Sequence, residues 1–362
     1  MGNVIPTPAL SASELQIYPM EWRKALKGYD LAWWTKDSLF KHDGLLVSYY
    51  YAYYAVADRT VAYDFRQYFT IRDDVLLICD SGGYEIETVG AELDPLDVYR
   101  WQAKNCKVAM ALDVPLGRRS STVDVPMEVV ERRAQKTRRN VEAIARELEK
   151  REGLKFYLVL HGHKPEELSL WWRTAVEPYI HLADGVAVGY IPNRPEIAVM
   201  QLAFLARKEV KNVHIFMLFG KTALLAYYLK DYFNLITFDS AGYTKSAAMG
   251  HYVMPIVLSR VMVGRKGKVT YEIERLPCIC PACQLAEEFN INILNPRSFV
   301  SYQLLKLHNV YTVLQVYRLA DYDVGLVEGF VPENVKSAVA KWRDYYEMGE
   351  VKSSEGGIKR WL

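Results

Sequence analysis

Short apolar segments recur along the chain, and a polar residue or a glycine follows all but the first of them. They lie at residues 44–51, 75–79, 108–112, 156–160, 185–188, 214–219 and 235–238. The residues that follow the later segments are Asp80, Asp113, His161, Gly189, Gly220 and Asp239. Continuous apolar runs of this length are typical of parallel strands that are buried on both faces.

Helical patterns lie between these segments. The clearest covers residues 127–151, where apolar positions recur at helical spacing among charged residues, and 195–208 and 222–230 are similar. Strands that alternate with helices predict an α/β fold, a (β/α)8 TIM-type barrel, in which catalytic groups lie at the carboxyl ends of the strands. A doubly wound open sheet is the alternative, but the sequence shows no glycine-rich phosphate-binding turn for it.

The pattern changes after Asp239. Extended segments are predicted at residues 252–258 and 268–273, a cysteine cluster follows, and a helix is predicted over 302–314. We therefore expect a zinc-binding subdomain at 271–315, inserted near the end of a barrel domain formed by 1–270 and 316–362. A polar helix is expected near residues 339–346, before a frayed end.

Three cysteines and a histidine form a candidate metal site. Cys278, Cys280 and Cys283 follow the pattern Cys-x-Cys-x-x-Cys, and His308 lies on the predicted helix downstream. Three thiolates and one imidazole fill a tetrahedral Zn²⁺ shell and leave no position for water. The sequence predicts one structural zinc ion per chain. The alternative is three buried free thiols and an unrelated histidine.

Composition limits the class of protein. The chain has 362 residues, 51% of them hydrophobic, and a formal charge of +2, as expected of a soluble globular protein. Two further cysteines, Cys79 and Cys106, lie beside apolar runs, and we expect free thiols and a reducing compartment. We find no signal peptide and no membrane span, so we expect a cytoplasmic protein.

Basic residues cluster locally although the net charge is small. One cluster lies on the predicted helix at 127–151 and another at Arg265, Lys266 and Lys268. A solvated protein face is the commoner interpretation of such clusters, and a track for phosphates is the alternative.

Five separated motifs, in order along the chain, carry a resemblance to a known family. They are Asp80-Ser-Gly-Gly-Tyr84, Ala111-Leu-Asp113, Gly185-Val-Ala-Val-Gly189, Phe238-Asp239 with Thr244-Lys245 behind it, and the cysteine cluster with His308-Asn309. Together they resemble the queuine and archaeosine tRNA-guanine transglycosylase family over roughly residues 75–315. Each motif alone is weak evidence, but their shared order is specific.

The resemblance implies an enzyme that exchanges a guanine within a polynucleotide for a free 7-deazaguanine. Asp239 would be the nucleophile that forms a covalent aspartyl-nucleoside intermediate, and Asp80 the general acid and base. Asp113 would bind the Watson–Crick edge of the base, because a carboxylate accepts from two N–H donors at once. Further residues implied in substrate binding are Ser81, Gly82, Tyr84, His161, Gly162, Gly185, Val186, Met217 and Lys245.

The sequence departs from the family pattern around the base pocket. His161-Gly162-His163 stands where Gln-Gly-Gly is usual, Glu85 where glutamine is usual, and Tyr190 where bacterial enzymes have glutamate. Lys245 stands in place of the arginine of a Pro-Thr-Arg motif, as a point charge rather than a fork. The Tyr190 change favours a nitrile-bearing base similar to 7-cyano-7-deazaguanine.

These departures, and an end of the chain soon after the zinc subdomain, resemble the DNA-modifying branch of the family. We therefore expect DNA as the favoured substrate and tRNA as the alternative, with the target guanine flipped from its stack or single-stranded. A free 7-deazaguanine is the second substrate. A homodimer and an accessory ATPase that assists DNA opening are candidate partners.

Other functions compete with this prediction. Asp80, Asp113 and Asp239 could each merely cap the turn that follows a strand. A non-catalytic partner subunit of such an enzyme would have lost a catalytic aspartate, and both are present here. An unrelated Schiff-base aldolase barrel would need a lysine at a strand end, and none of the strand ends above has one.

Overall fold

The structure is a computed structural model that describes residues 2–10, 26, 28–54, 64–116, 125–189, 194–263 and 278–347. Its strands are β1 Asn3–Pro8, β2 Gly44–Ser48, β3 Leu76–Asp80, β4 Val108–Met110, β5 Lys155–Leu160, β6 Gly185–Gly189, β7 Asn212–Phe216, β8 Leu235–Ser240, β9 His251–Val253 and β10 Arg260–Met262. Its α-helices are α1 Tyr49–Tyr54, α2 Phe65–Tyr68, α3 Gly83–Val89, α4 Pro95–Asn105, α5 Met127–Glu149, α6 Pro165–Trp171, α7 Pro195–Arg207, α8 Leu225–Tyr228, α9 Gly242–Ala248, α10 Pro281–Glu288, α11 Phe299–Tyr322, α12 Glu333–Ala340 and α13 Trp342–Glu347.

Strands β1 to β8 form one parallel sheet in the described part of the chain. Their order is β1-β8-β7-β6-β5-β4-β3-β2, and β1 returns beside β2 through a bridge between Ala9 and Leu46. The N–H of Leu10 also donates to the carbonyl of Leu46 at 2.9 Å. The sheet is thus nearly closed into a barrel with helices around it. The predicted TIM-type barrel is confirmed, and the open sheet is excluded.

The first strand was not among the predicted strands, and its sequence explains why. β1 contains Pro6 and Pro8, which are unfavourable in a central strand because they have no N–H to donate. The N–H groups of Asn3 and Ala9 donate to the carbonyls of Asn234, just before β8, and Ser240, at its end. Backbone nitrogens alternate in direction along a strand, so those of Pro6 and Pro8 face β2. The prolines therefore lose hydrogen bonds only at the β1–β2 seam. There the His42 ring Nε2 lies 2.6 Å from the Pro6 carbonyl oxygen.

The predicted helices are found with small differences. Residues 127–151 form α5 and residues 195–208 form α7. The predicted helix at 222–230 is shorter and mostly 3-10, with Gly220–Leu224 and Lys230–Tyr232 on either side of α8. Further irregular turns are the π-helical Trp172–Val176 and the 3-10 segments Glu177–Leu182 and Val324–Phe330.

One cysteine prediction is wrong in this structure. Cys79 and Cys106 form a disulfide, with their Cα atoms 6.0 Å apart, instead of remaining free thiols. The bond joins β3 to the residue that follows α4, just before the start of β4. Cys278, Cys280 and Cys283 are free.

The region after β8 contains a small antiparallel pair, β9 and β10, followed by α10 and α11. The expected extended segment at 252–258 is therefore only partly strand, and the segment at 268–273 with Arg265, Lys266 and Lys268 lies outside the described residues. The start of the expected subdomain at 271 also lies outside them. Its end at 315 falls within α11, whose Tyr317 hydroxyl donates to the barrel residue Gly220.

The expected helix at 339–346 is divided in two, α12 and α13, and the expected frayed end lies outside the described residues. Within the residues that the structure describes, no helix combines the length and apolar character needed to cross a membrane.

Candidate active site and metal centre

Three carboxylates meet at the carboxyl-end face of the barrel. Asp80 is the last residue of β3, Asp113 follows β4, and Asp239 is the second-last residue of β8. Burial, the largest cause, and the nearby carboxylates of Glu85, Asp113 and Asp239 together raise the pKa of Asp80 to about 8. Asp80, Asp113 and Asp239, the predicted acid, nucleobase-binding residue and nucleophile, therefore interact electrostatically. With a pKa of about 8, Asp80 is mostly protonated at neutral pH.

The loop after Asp80 depends on glycine. Gly82 has a φ of 85°, and its N–H donates to Asp80 Oδ2 at 3.2 Å. A Cβ on Gly83 would lie 2.6 Å from Asp113 Oδ1, so no larger residue fits there without movement. The two glycines thus allow the β3 loop to pass directly over Asp113, which explains the Asp-Ser-Gly-Gly sequence in physical terms.

Asp113 is held by hydrogen bonds to two of the predicted substrate-binding residues. The His161 ring Nε2 lies 2.6 Å from Asp113 Oδ2, and the Ser81 hydroxyl donates to Oδ1 at 3.4 Å. Because a carboxylate can only accept, Nε2 carries the proton of this neutral or charged imidazole. His161 therefore contacts Asp113 itself.

The loop that carries His161 is fixed by contacts with two neighbouring helices. The Gly162 carbonyl accepts from the Gln201 side chain of α7 at 2.9 Å, and the Trp171 ring packs edge-on against His161 at 4.8 Å. Gly162 has a φ of 153°, and a Cβ there would lie 2.7 Å from the Leu168 nitrogen. A predicted site glycine is thus explained by close backbone packing.

Asp239 receives two hydrogen bonds on the same oxygen. The Met217 N–H donates to Asp239 Oδ1 at 2.9 Å, and the His214 ring Nε2 lies 3.2 Å from that atom. Met217 has a φ of 58°, which is unusual for a residue with a side chain and occurs where surrounding structure enforces it. The β7 loop is therefore shaped so that a backbone donor faces the predicted nucleophile.

The structure contradicts the assignment of Gly185 and Val186 to the substrate site. Gly185 begins β6 and pairs with Tyr157, while Val186 pairs with Leu158 and Val213 inside the sheet. Both lie away from the carboxyl end where Asp80 and Asp239 are found. The residue of β6 that reaches this end is Gly189, where a Cβ would lie 3.3 Å from His161 Nδ1.

Other predicted residues lie at the rim of the site. Tyr84 is partly exposed on α3, the Met217 side chain is 49% exposed, and Lys245 is exposed on α9 directly after β8. These positions are open to a ligand. Tyr190 lies outside the described residues.

The candidate metal ligands form a second cluster, from residues that follow all three carboxylates in the sequence. Cys278, Cys280, Cys283 and His308 place their ligand atoms within 4.8 Å of one another, and the last three are buried. His308 Nδ1 lies 3.3 Å from both the Cys280 and Cys283 sulfurs. Tetrahedral Zn²⁺ bonds of about 2.0–2.3 Å would place ligand atoms about 3.6–3.8 Å apart, so the cluster fits the ion with small adjustments.

Surrounding groups set the ligand atoms in place. His308 Nε2 donates to the Val253 carbonyl at 2.8 Å, which leaves Nδ1 as the unprotonated atom that faces the thiols. The backbone N–H of Cys283 donates to the Cys280 sulfur, which caps α10. Asn309 accepts from the Val253 N–H and donates to the His251 carbonyl, so the residue next to His308 ties α11 to β9.

Sequence reasoning missed His214. It is fully buried in β7, beside Thr237 and Asp239 of β8, but in the sequence it lies within an apolar run and is indistinguishable from a core histidine. The available signal was its position on the strand next to the one that ends in Asp239, since paired strands place such residues side by side.

Comparison with known proteins gives one informative match. The chain is 27% identical over 297 residues to the tRNA-guanine(15) transglycosylase of Methanopyrus kandleri. The match covers 80% of this chain and 59% of that protein, so the chain spans less than two thirds of the relative's length. No family model matches the chain.

Proposed function

We propose that the chain is an enzyme of the guanine transglycosylase superfamily, a pentosyltransferase that exchanges guanine in a polynucleotide for a free 7-deazaguanine. The observation that carries the proposal is the presence of two different carboxyl groups at one barrel face. Asp239 is fixed by a backbone hydrogen bond, and Asp80 has a pKa raised to about 8. The similarity to a protein named as a tRNA-guanine transglycosylase supports the same class of reaction.

The two carboxylates divide the chemistry between them. Asp239 attacks C1′ of the target nucleoside, and the C1′–N9 bond breaks with its electron pair leaving on the guanine. Asp80 donates its proton to the departing base, which its raised pKa makes possible at neutral pH. The incoming base then returns a proton to Asp80 and displaces Asp239 from C1′, so the enzyme is regenerated.

Asp113 provides base recognition in this proposal. Its carboxylate accepts from the N–H groups on the Watson–Crick edge of the base, while His161 and Ser81 fix its orientation. Gly82, Gly162 and Gly189 let the backbone approach the base, and Tyr84 and Met217 border it at the rim. Lys245 contacts a backbone phosphate in this proposal.

The metal centre has a structural role in this proposal. Cys278, Cys280, Cys283 and His308 would hold one Zn²⁺, which would supply folding stability and no open coordination position. The division into a barrel at 1–270 and 316–362 and a zinc-binding subdomain at 271–315 belongs to the proposal. Helix α11 is continuous across residue 315, so it joins the two.

DNA is our favoured polynucleotide. His161, Glu85 and Lys245 differ from the residues usual in the tRNA-guanine transglycosylase family at the base pocket and the loop beside it, while both proposed catalytic carboxylates are kept. A tRNA substrate is the second candidate, favoured by the name of the relative. Action in the cytoplasm, a homodimer and an accessory ATPase are further parts of the proposal that await their own tests.

The test is incorporation of labelled 7-cyano-7-deazaguanine into DNA and tRNA side by side, read by nucleoside mass spectrometry after digestion. Label in deoxynucleosides alone supports the DNA proposal, and label in tRNA alone replaces it with the second candidate. If neither polynucleotide is labelled while guanine exchange is also absent, the transglycosylase proposal fails.

A further inference from the structure

We infer that His214 is a positioning residue for the nucleophile, which fixes Asp239 so that Oδ2 is the attacking oxygen. The inference rests on the proposed function for its catalytic meaning, but the underlying contact can be tested without activity. His214 Nε2 lies 3.2 Å from Asp239 Oδ1, and both side chains are more than nine-tenths buried.

The protonation of the ring follows from its neighbours. Nδ1 lies 2.9 Å from the Thr237 hydroxyl, which also lies 3.3 Å from the Val213 carbonyl. If the hydroxyl donates to Nδ1, the single ring proton must be on Nε2. If it donates to Val213, Nδ1 is protonated, and Nε2 must also carry a proton because it faces a carboxylate that only accepts. In both cases Nε2–H donates to Asp239.

The contact selects one carboxylate oxygen. The Met217 N–H donates to the same Oδ1 at 2.9 Å, so two donors from the β7 segment hold this atom. Within the described part of the chain, Oδ2 has no hydrogen-bond partner. It is therefore the oxygen that can form the bond to C1′ as the C1′–N9 electron pair leaves with guanine, while Oδ1 stays in its hydrogen bonds.

Thr237 and the strand register make the arrangement rigid. The Cα atoms of His214 and Thr237 are register partners in the β7–β8 pair, and Thr237 is 1% exposed. The Phe216 ring also packs against the imidazole at 4.8 Å. A ring held on three sides cannot turn, so it transmits the strand geometry to the carboxylate.

Two matched variants separate positioning from packing. His214→Gln can place its amide nitrogen near the Nε2 position, whereas His214→Asn reaches only the Nδ1 position. We expect His214→Asn to lower kcat for exchange about 100-fold with little change in KM, as for a misplaced reacting group. His214→Gln should recover activity to within about 10-fold of the parent. Equal activity of His214→Asn and the parent would overturn the inference.

A measurement on the unmutated protein covers loss of folding or of activity. Histidine ¹⁵N labelling and NMR report which ring nitrogens carry protons, with His214 assigned by the signal absent in His214→Gln or, if that variant does not fold, by the signal that changes in Asp239→Asn. We expect Nε2 to be protonated. An unprotonated Nε2 would overturn the inference even in an active enzyme. If the parent protein exchanges no base, the proposed function fails, and the NMR result alone decides the contact.

Discussion

The metal centre and the carboxylate site use buried histidines in opposite ways. His308 donates Nε2–H to a backbone carbonyl, and its other nitrogen faces three thiols, with which it could bind a metal ion. His214 and His161 instead face the carboxylates Asp239 and Asp113. The first arrangement is closed once an ion is bound, while the second leaves carboxylate oxygens and the protonated Asp80 available to a substrate.

Under the proposed function, this difference separates the groups that stabilise the fold from the groups that take part in the reaction. The cysteine cluster ties α10 and α11 to β9, and nothing in its ligand set offers an open position for a reacting group. The barrel face carries the features that cost stability: a raised pKa at Asp80 and left-handed backbone at Met217. Changes at the two sites should therefore separate into effects on folding and effects on rate.

The largest effect is expected at the nucleophile. Asp239→Asn keeps the shape of the side chain but removes the charge that attacks C1′, so exchange should fall by about 10⁴-fold or more. Nucleoside mass spectrometry after incubation with labelled base measures this, and the thermal unfolding midpoint should stay close to that of the parent. Retained exchange would remove Asp239 from the mechanism.

Loss of a metal ligand should act on folding first. Cys280→Ala removes one of the four ligands, so we expect the zinc content to fall from about one ion per chain towards zero and the protein to lose about 3 kcal/mol or more. Elemental analysis and thermal unfolding measure both effects. Cys106→Ala is the control for zinc content only: it should keep the zinc, although it breaks the Cys79–Cys106 disulfide and so lowers stability as well. Normal stability and zinc content in Cys280→Ala would contradict the structural role.

The pH dependence should report the carboxylate site. Since the pKa of Asp80 is raised to about 8 by burial and by Glu85, Asp113 and Asp239, kcat/KM should fall as pH rises through about 8. Glu85→Gln removes one of the like charges, so the fall should begin at lower pH, with activity at pH 8 reduced about 3–10-fold and little change at pH 6. An unchanged profile would separate Glu85 from Asp80.

Stability should follow the same titration. The folded-state pKa of Asp80 lies above its ordinary value of 3.8, so the folded protein binds this proton more tightly. The contribution to the free energy of unfolding is complete below about pH 4 and is lost as pH rises through 8. Asp80→Asn should weaken this part of the pH dependence in denaturant titrations.

The smallest effect is expected at the support of the metal centre. Asn309→Ala removes hydrogen bonds to the Val253 N–H and the His251 carbonyl, and should lower the free energy of unfolding by about 1–3 kcal/mol. The zinc content and the exchange rate should remain near those of the parent. A large loss of exchange without loss of stability would contradict the separation of the two sites.

The sequence predicted the features that local chemistry determines. The tight cysteine spacing predicted the cluster of possible metal ligands, and the polar residues after apolar runs predicted that Asp80, Asp113 and Asp239 lie at one barrel face. It did not predict β1, because Pro6 and Pro8 are acceptable only at the seam with β2, which requires knowledge of the closed barrel.

The residues that were misplaced depend on register. An apolar run does not show where its strand begins, so Gly185 and Val186 were assigned to the site although Gly189 is the residue that reaches it. His214 was missed for the same reason, since its partner Asp239 is on another strand and becomes its neighbour only through the β7–β8 register.

The most direct test of the account is a search for the covalent intermediate. The protein is incubated with a guanine-containing oligonucleotide of DNA or tRNA sequence while guanine deaminase removes the released base, then quenched in denaturant and analysed by intact and peptide mass spectrometry. The account predicts an oligonucleotide adduct on the peptide that contains Asp239, absent in Asp239→Asn. Base exchange without such an adduct, or an adduct on another residue, would contradict it.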